Sequence, residues 1–214
     1  MNKKHFEQVQ NEEMYEEIIV QLLDNGFAIQ KDFIPAEILN GLLSNLLQGI
    51  ENQSFKNAGT GNIVNHAIHH DIRKDNIMWL EEDTGNEPER MFHNTIWDFA
   101  GYMNSTCFTG IKYLEFHYAC YEAGAFYKRH LDRFKNDDAR IFSIITYLNK
   151  DWNELFGGQL ILYLPDGERR INPEFGISVF LKSDQIEHEV IHSTHQRYSI
   201  TGWFKTVNPK GVII

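Results

Sequence analysis

Cysteine occurs only twice in these 214 residues, at Cys107 and Cys120. Two cysteines without metal spacing build neither a disulfide framework nor a zinc finger, so buried free thiols in a reducing compartment are expected. Long apolar runs are missing as well. The longest early one, Ile18-Ile19-Val20, falls far short of the roughly 20 residues that a bilayer requires. Met1 to Glu13 is polar, without the apolar core of a secretory signal. Positive charge is scarce: 20 Lys and Arg against 30 Asp and Glu leave a formal charge of -10. That argues against a nucleic-acid backbone or an anionic membrane as the main partner, because both need a basic face. It leaves room for a small basic patch around an anionic substrate. With 42% hydrophobic residues, 23% charged and no low-complexity tract, the chain has the composition of a folded protein. A cytoplasmic protein is expected, with one domain over residues 1–214.

The chain opens with helical periodicity. From about Glu7 to Asp24, Met14, Ile18 and Leu22 form one stripe and Gly26 marks the stop. A short strand, Phe27 to Gln30, follows, and Pro35 suits the first turn of a second helix. In that helix Ile38, Leu39, Leu42, Leu43, Leu46, Leu47 and Ile50 give a broad apolar face. Between Asn57 and Asp75 the pattern breaks into Gly59, Gly61, several asparagines and the run His66, His69, His70. Long polar loops in compact domains are often binding elements, so a flap over the site is expected there. After a strand or turn pair ending in Trp79 and an acidic turn containing Pro88, helical period returns from Glu89 to Asn104.

Beyond Thr109 the period becomes two. Strands are expected at Lys112–Tyr121, Tyr127–Asp132, Arg140–Leu148, Gln159–Leu164, Ile177–Lys182, Ile186–Ile191 and Arg197–Thr206, with a hairpin turn at Pro165-Asp166-Gly167. A helical part up to about residue 106 followed by many short strands up to about residue 206 implies an α+β fold. The strands would form a double-stranded β-helix, or jelly roll, with the N-terminal helices packed outside its larger sheet.

Histidine, by contrast, is plentiful, with ten residues. Read as a strand, His130-Leu131-Asp132 puts an imidazole and a carboxylate on one face. One distant histidine would complete the two-histidine, one-carboxylate set that holds non-haem Fe(II) and leaves coordination positions open. His188 is the candidate, since Ile186-Glu187-His188-Glu189-Val190 turns it inward with the two apolar residues. On the next strand Arg197, Ser199, Thr201 and Trp203 share a face. An arginine pointing into a roll is expensive unless it meets an anion, and its planar fork suits a carboxylate. Tyr147 faces the same way as Ile145 and can supply a second donor. The same stretch offers a rival: His188-Glu189-Val190-Ile191-His192 spells the zinc-peptidase motif H-E-x-x-H. That motif needs a helix, whereas the β-branched residues and alternating flanks here favour a strand.

Taken together, His130, Asp132, His188 and Arg197 resemble the signature of the Fe(II)- and 2-oxoglutarate-dependent dioxygenases. Tyr147-Leu148-Asn149-Lys150-Asp151-Trp152 and Gly157-Gly158-Gln159-Leu160 narrow the likeness to the prolyl 4-hydroxylase-like branch, the oxygen-sensing prolyl hydroxylases and their bacterial relatives. Asp71-Ile72-Arg73-x-Asp75-x-Ile77-x-Trp79 extends it over roughly residues 70 to 206. The resemblance implies iron at His130, Asp132 and His188. It implies that Arg197, with Tyr147 and Tyr121, takes 2-oxoglutarate, and that Trp203 and Tyr127 line the substrate side. The implied reaction is 4-hydroxylation of a prolyl residue with dioxygen, releasing succinate and carbon dioxide, with ascorbate as a candidate reductant. The implied partner is a protein carrying the target proline, a translation factor among the candidates. A small molecule or free amino acid is the alternative substrate; a binding roll without catalysis is a reading from another class.

Overall fold

The computed structural model describes residues 3–59, 71–81, 85–133 and 139–207. Three helices lead into the strands: α1 (Lys3–Asn25), β1 (Phe27–Lys31), α2 (Ala36–Glu51), β2 (Lys56–Asn57), β3 (Asp75–Trp79) and α3 (Glu87–Cys107). Then come β4 (Tyr113–Tyr121), β5 (Tyr127–His130), β6 (Arg140–Tyr147), β7 (Leu160–Leu164), β8 (Gly167–Ile171), β9 (Ile177–Lys182), β10 (Glu187–Val190) and β11 (Arg197–Lys205). Gly26 ends α1 at φ +77°, a conformation that glycine adopts without a Cβ penalty. Asn86 caps α3 by accepting from the Glu89 N–H at 3.2 Å. Pro88 therefore lies in the first turn of α3, not in a turn before it: a proline there gives up only an N–H the helix cannot use. Among the described residues no helix is long and apolar enough to cross a membrane.

The strands form two antiparallel sheets. The larger runs β1-β9-β6-β11-β4-β3-β2 and the smaller β5-β10-β7-β8, the jelly roll expected from the alternating pattern. Strict alternation along the central strands feeds two separate cores. Leu114, Phe116 and Tyr118 of β4, with Ile200 and Phe204 of β11, pack outward against Ile18, Leu42, Phe92, Ile96 and Phe99 of the helices. Ala119 and Tyr121 of β4, with Ile145 and Tyr147 of β6, face inward against Leu160, Leu162 and Val190 of the smaller sheet. The helices thus clad one face of the larger sheet, and its opposite face closes on the smaller sheet.

Several expectations need correcting. β8 has no counterpart in the sequence reading. Its residues, GERRI, are exposed except for Ile171, and they become a strand because they pair with β7 across the Pro165-Asp166 turn. Charged residues suit such an edge, which must not invite further strands. β5 stops at His130, so Asp132 lies in a bend beyond the strand. Cys120 is buried, but Cys107 is exposed because it falls on the last, solvent-facing turn of α3. Of the expected flap from Asn57 to Asp75, residues 60–70, with Gly61, His66, His69 and His70, lie outside the described residues.

Candidate metal centre

The inward face of the roll gathers the residues that the sequence singled out. Antiparallel pairing of β10 with β5 sets His188 directly opposite His130, and their rings lie 4.3 Å apart. Asp132 swings in from the bend: His130 Nε2 is 3.6 Å from its Oδ1 and His188 Nε2 3.7 Å from its Oδ2. One ligand atom from each of the three residues lies within 4.8 Å of the others, the sole such group among the described residues. The route differs from the expected one, since strand alternation delivers His130 while a bend delivers Asp132. Arg140 donates to the Asp132 carbonyl at 3.2 Å and helps hold that bend.

The hydrogen bonds decide what these atoms offer. His130 Nδ1 lies 2.8 Å from the Lys128 carbonyl and His188 Nδ1 3.1 Å from that of Ile186. A carbonyl only accepts, so each neutral ring carries its proton on Nδ1 and turns the Nε2 lone pair toward Asp132. Burial works to raise the Asp132 carboxyl, but the pull of His188 and His130 when those rings carry a second proton, with the Ser143 hydroxyl beside it, holds it well below the usual carboxylate range. Burial, reinforced by His130, lowers His188 to about 4. With both rings neutral, the carboxylate faces two imidazole lone pairs, and Asp132 Oδ2 is buried without a hydrogen-bond partner among the described residues. Three electron-rich atoms turned on one another repel unless a cation lies between them. Two histidines and one carboxylate fit Fe(II) and leave further coordination positions free.

A second charge lies deeper in the roll. Arg197, 1% exposed, is the largest fully buried side chain. Its Nε donates to the Gly158 carbonyl at 3.0 Å, and its guanidinium sits 4.8 Å from the Tyr121 ring and 4.9 Å from that of Tyr147. No carboxylate among the described residues forms an ion pair with it. The Tyr147 hydroxyl and the Oγ of Ser199, its cross-strand neighbour, are buried without partners. Burial raises both tyrosines and keeps them protonated as donors. A buried cation beside two idle hydroxyls fits the carboxylate of a small dianion, as 2-oxoglutarate would supply.

The remaining candidates also face inward. Trp203 is buried beneath Arg140, whose guanidinium lies 3.5 Å above its ring. Tyr127 stacks on His130 at 3.6 Å and 15°, so it touches one of the three candidate ligands directly. His192, the second histidine of H-E-x-x-H, bonds through Nδ1 to the Gly124 carbonyl at 3.0 Å and is outside the ligand group. His188 sits on a strand, and the helical spacing that motif requires is absent. Sequence reasoning gave no role to Arg73, Asp75, His117 or Arg140. His117 could have been found by period two, since it precedes Ala119 and Tyr121 on the inward face of β4.

Comparison with known proteins follows the same lines. Residues 116–205 match the 2OG-Fe(II) oxygenase superfamily. Human Egl nine homolog 1 is 33% identical over 144 residues, covering 63% of this chain and 33% of that protein. Human prolyl hydroxylase EGLN3 is 37% identical over 91 residues, covering 40% of this chain and 38% of its own length. The chain thus spans little more than a third of these relatives. Among solved structures, a Pseudomonas putida prolyl-4-hydroxylase superposes with a TM-score of 0.82 at 31% identity, covering 91% of this chain and 100% of that one. A Trichoplax adhaerens prolyl hydroxylase, solved with a hypoxia-inducible-factor oxygen-degradation-domain peptide, gives 0.85 at 26% identity, with 94% and 93% covered.

Proposed function

The chain belongs to the 2OG-Fe(II) oxygenase superfamily, and from that premise we propose that it 4-hydroxylates a prolyl residue of a protein substrate. The observation that carries the proposal is the pairing, inside one roll, of a carboxylate facing two imidazole lone pairs with a buried arginine that has no anion partner among the described residues. His130, Asp132 and His188 would hold the iron. Arg197 would take the far carboxylate of 2-oxoglutarate, with Tyr147 donating to it and Tyr121 packing beside it. When bound, iron with 2-oxoglutarate and dioxygen supplies the oxidising power that turns a C–H bond into C–OH, with succinate and carbon dioxide as co-products.

The chain's own residues orient, neutralise and exclude water. The backbone carbonyls of Lys128 and Ile186 keep both imidazoles turned to the metal position. Ser143 and Arg140 hold the Asp132 segment. The tyrosines remain neutral and shield Arg197 from solvent. Trp203 and Tyr127 would form the substrate side, with the half-exposed Trp79 reaching Trp203 through the His117 ring. The peptide in the Trichoplax relative supports a protein substrate over a free amino acid. Ascorbate would keep the iron reduced, the cytoplasm would be the compartment, and a translation factor is one peptide source to test.

The experiment incubates the chain with Fe(II), 2-oxoglutarate and proline-containing peptides, with free proline and a His130→Ala variant as controls. Succinate release coupled to the gain of one oxygen atom on a peptide proline is expected. Turnover on free proline alone, or cleavage indifferent to 2-oxoglutarate, would refute the proposal.

A further inference from the structure

We infer that Arg73, fixed in place by Asp75, is a positioning residue for His130 and acts on it through the Tyr127 ring. The inference rests on reading His130 as a metal ligand.

The chain around Arg73 crosses between the two sheets. Lys74 N–H donates to the Phe126 carbonyl at 3.0 Å and Lys128 N–H to that of Ile72 at 2.9 Å, so residues 72–74 pair alongside β5 of the smaller sheet. One residue later the same chain is β3, paired with β4 of the larger sheet. Arg73 and Asp75 stand at that corner.

The geometry there is specific. Arg73 Nε and Nη2 donate to Oδ1 and Oδ2 of Asp75 at 2.7 and 2.6 Å, and Nη1 donates to the Gly59 carbonyl at 3.2 Å. All three nitrogens are thus anchored within the guanidinium plane, which fixes the orientation of its face. That face covers the Tyr127 ring, with Cζ 4.2 Å from the centroid. The same ring stacks on His130 at 3.6 Å. Two planar groups cannot share one face of a phenol at those separations, so Tyr127 is held between guanidinium and imidazole. The tyrosine fixes the tilt of the His130 ring, and Arg73 fixes the tyrosine.

The need for such a clamp follows from the strand. β5 ends at His130, and the ring's own hydrogen bond, to Lys128, returns to the same short strand. That local bond turns Nε2 toward Asp132 but leaves the tilt of the ring plane to whatever packs on its face. A buried ion pair contributes little stability over an apolar replacement, and its best-attested use is to fix an arrangement. Asp75 is fully buried in its side chain, so the pair is held without water to compete for it. Asp75 is also the cross-strand partner of Tyr121, which in turn pairs with Arg197. One ion pair therefore braces the metal end of the site and adjoins its anion end.

Co(II) titration of the full chain without 2-oxoglutarate, read by calorimetry and by the visible d–d spectrum, tests this. Thermal unfolding of each metal-free variant is recorded alongside. Tyr127→Leu and Arg73→Lys should weaken Co(II) binding about tenfold or more, while Tyr127→Phe, which keeps the stack, should stay within about twofold of wild type. The Co(II) spectrum should shift in the first two variants and not in the third. Folded Tyr127→Leu and Arg73→Lys proteins with wild-type affinity and spectrum would overturn the inference. So would Tyr127→Phe losing as much affinity as Tyr127→Leu. If Arg73→Lys does not fold, the two Tyr127 variants decide alone. Wild-type protein that takes up no Co(II) would instead overturn the metal-centre reading, and the inference with it.

Discussion

Arg197 brings a full positive charge inside the roll, where its Nε meets only a backbone carbonyl and its fork points between two tyrosines. A lysine at this position would keep the charge but lose the two-pronged geometry that matches a carboxylate. Arg197→Lys should therefore raise the KM for 2-oxoglutarate by about 30-fold or more, in line with the ~2–5 kcal/mol lost when one partner of a buried charged pair is truncated. Co(II) affinity measured without co-substrate should be unchanged. An unaltered KM would show that the anion binds elsewhere. This residue was legible in the sequence because an inward arginine on an alternating strand demands an anion. Ser199 was legible in its direction only, since its idle hydroxyl becomes apparent once Tyr147 is known to lie beside it.

At the scale of the element, β10 carries the decision between two metal chemistries. The five letters from His188 to His192 make a zinc-peptidase site on a helix, where residues four apart share a face, and cannot make one on a strand that ends at Val190. His192 instead ties the loop after β10 to Gly124. His192→Ala should leave Co(II) stoichiometry intact, whereas His188→Ala should abolish tight binding; inductively coupled plasma analysis of the dialysed proteins reads both. Equal loss in the two variants would revive the hydrolase reading. The same element scale explains the imperfect reading of His130-Leu131-Asp132. Alternation is correct for His130, but β5 is a short edge strand, and Arg140 with Ser143 governs where Asp132 turns.

The whole molecule carries the consequence of burying histidines between two sheets. Burial, with Arg73 nearby, lowers His117 to about 3, and burial with His130 lowers His188 to about 4, from an ordinary 6.5. Between about pH 6.5 and those lower values the unfolded chain binds protons that the folded chain refuses. Stability of the metal-free protein therefore rises with pH through that window and is lost on acidification, with a slope of about 1.4 kcal/mol per pH unit for each histidine. Asp132, with its carboxyl lowered, acts in the same direction below the ordinary carboxylate value of 3.8. The urea midpoint of metal-free protein should fall between pH 7 and pH 5, and His117→Phe should make the profile shallower. A flat wild-type profile would contradict the burial of these rings.

What the sequence determined by itself was everything that alternation along one chain segment encodes. The inward direction of His188, Arg197, Tyr147 and Trp203, the outward helices and the two-sheet roll all follow from period 3.6 giving way to period two. The three ligand types were likewise open to view, because a two-histidine, one-carboxylate set is a matter of residue identity. Register and closure were decided by tertiary structure alone. His188 meets His130 because β10 and β5 pair at one offset and not at its neighbour, and β8 exists only because β7 offers it an edge. Arg73 reaches Tyr127, far away in sequence, because the chain changes sheets between Arg73 and Asp75. Local periodicity is a property of the backbone, but which distant strands pair, and in what register, depends on how the two cores fill.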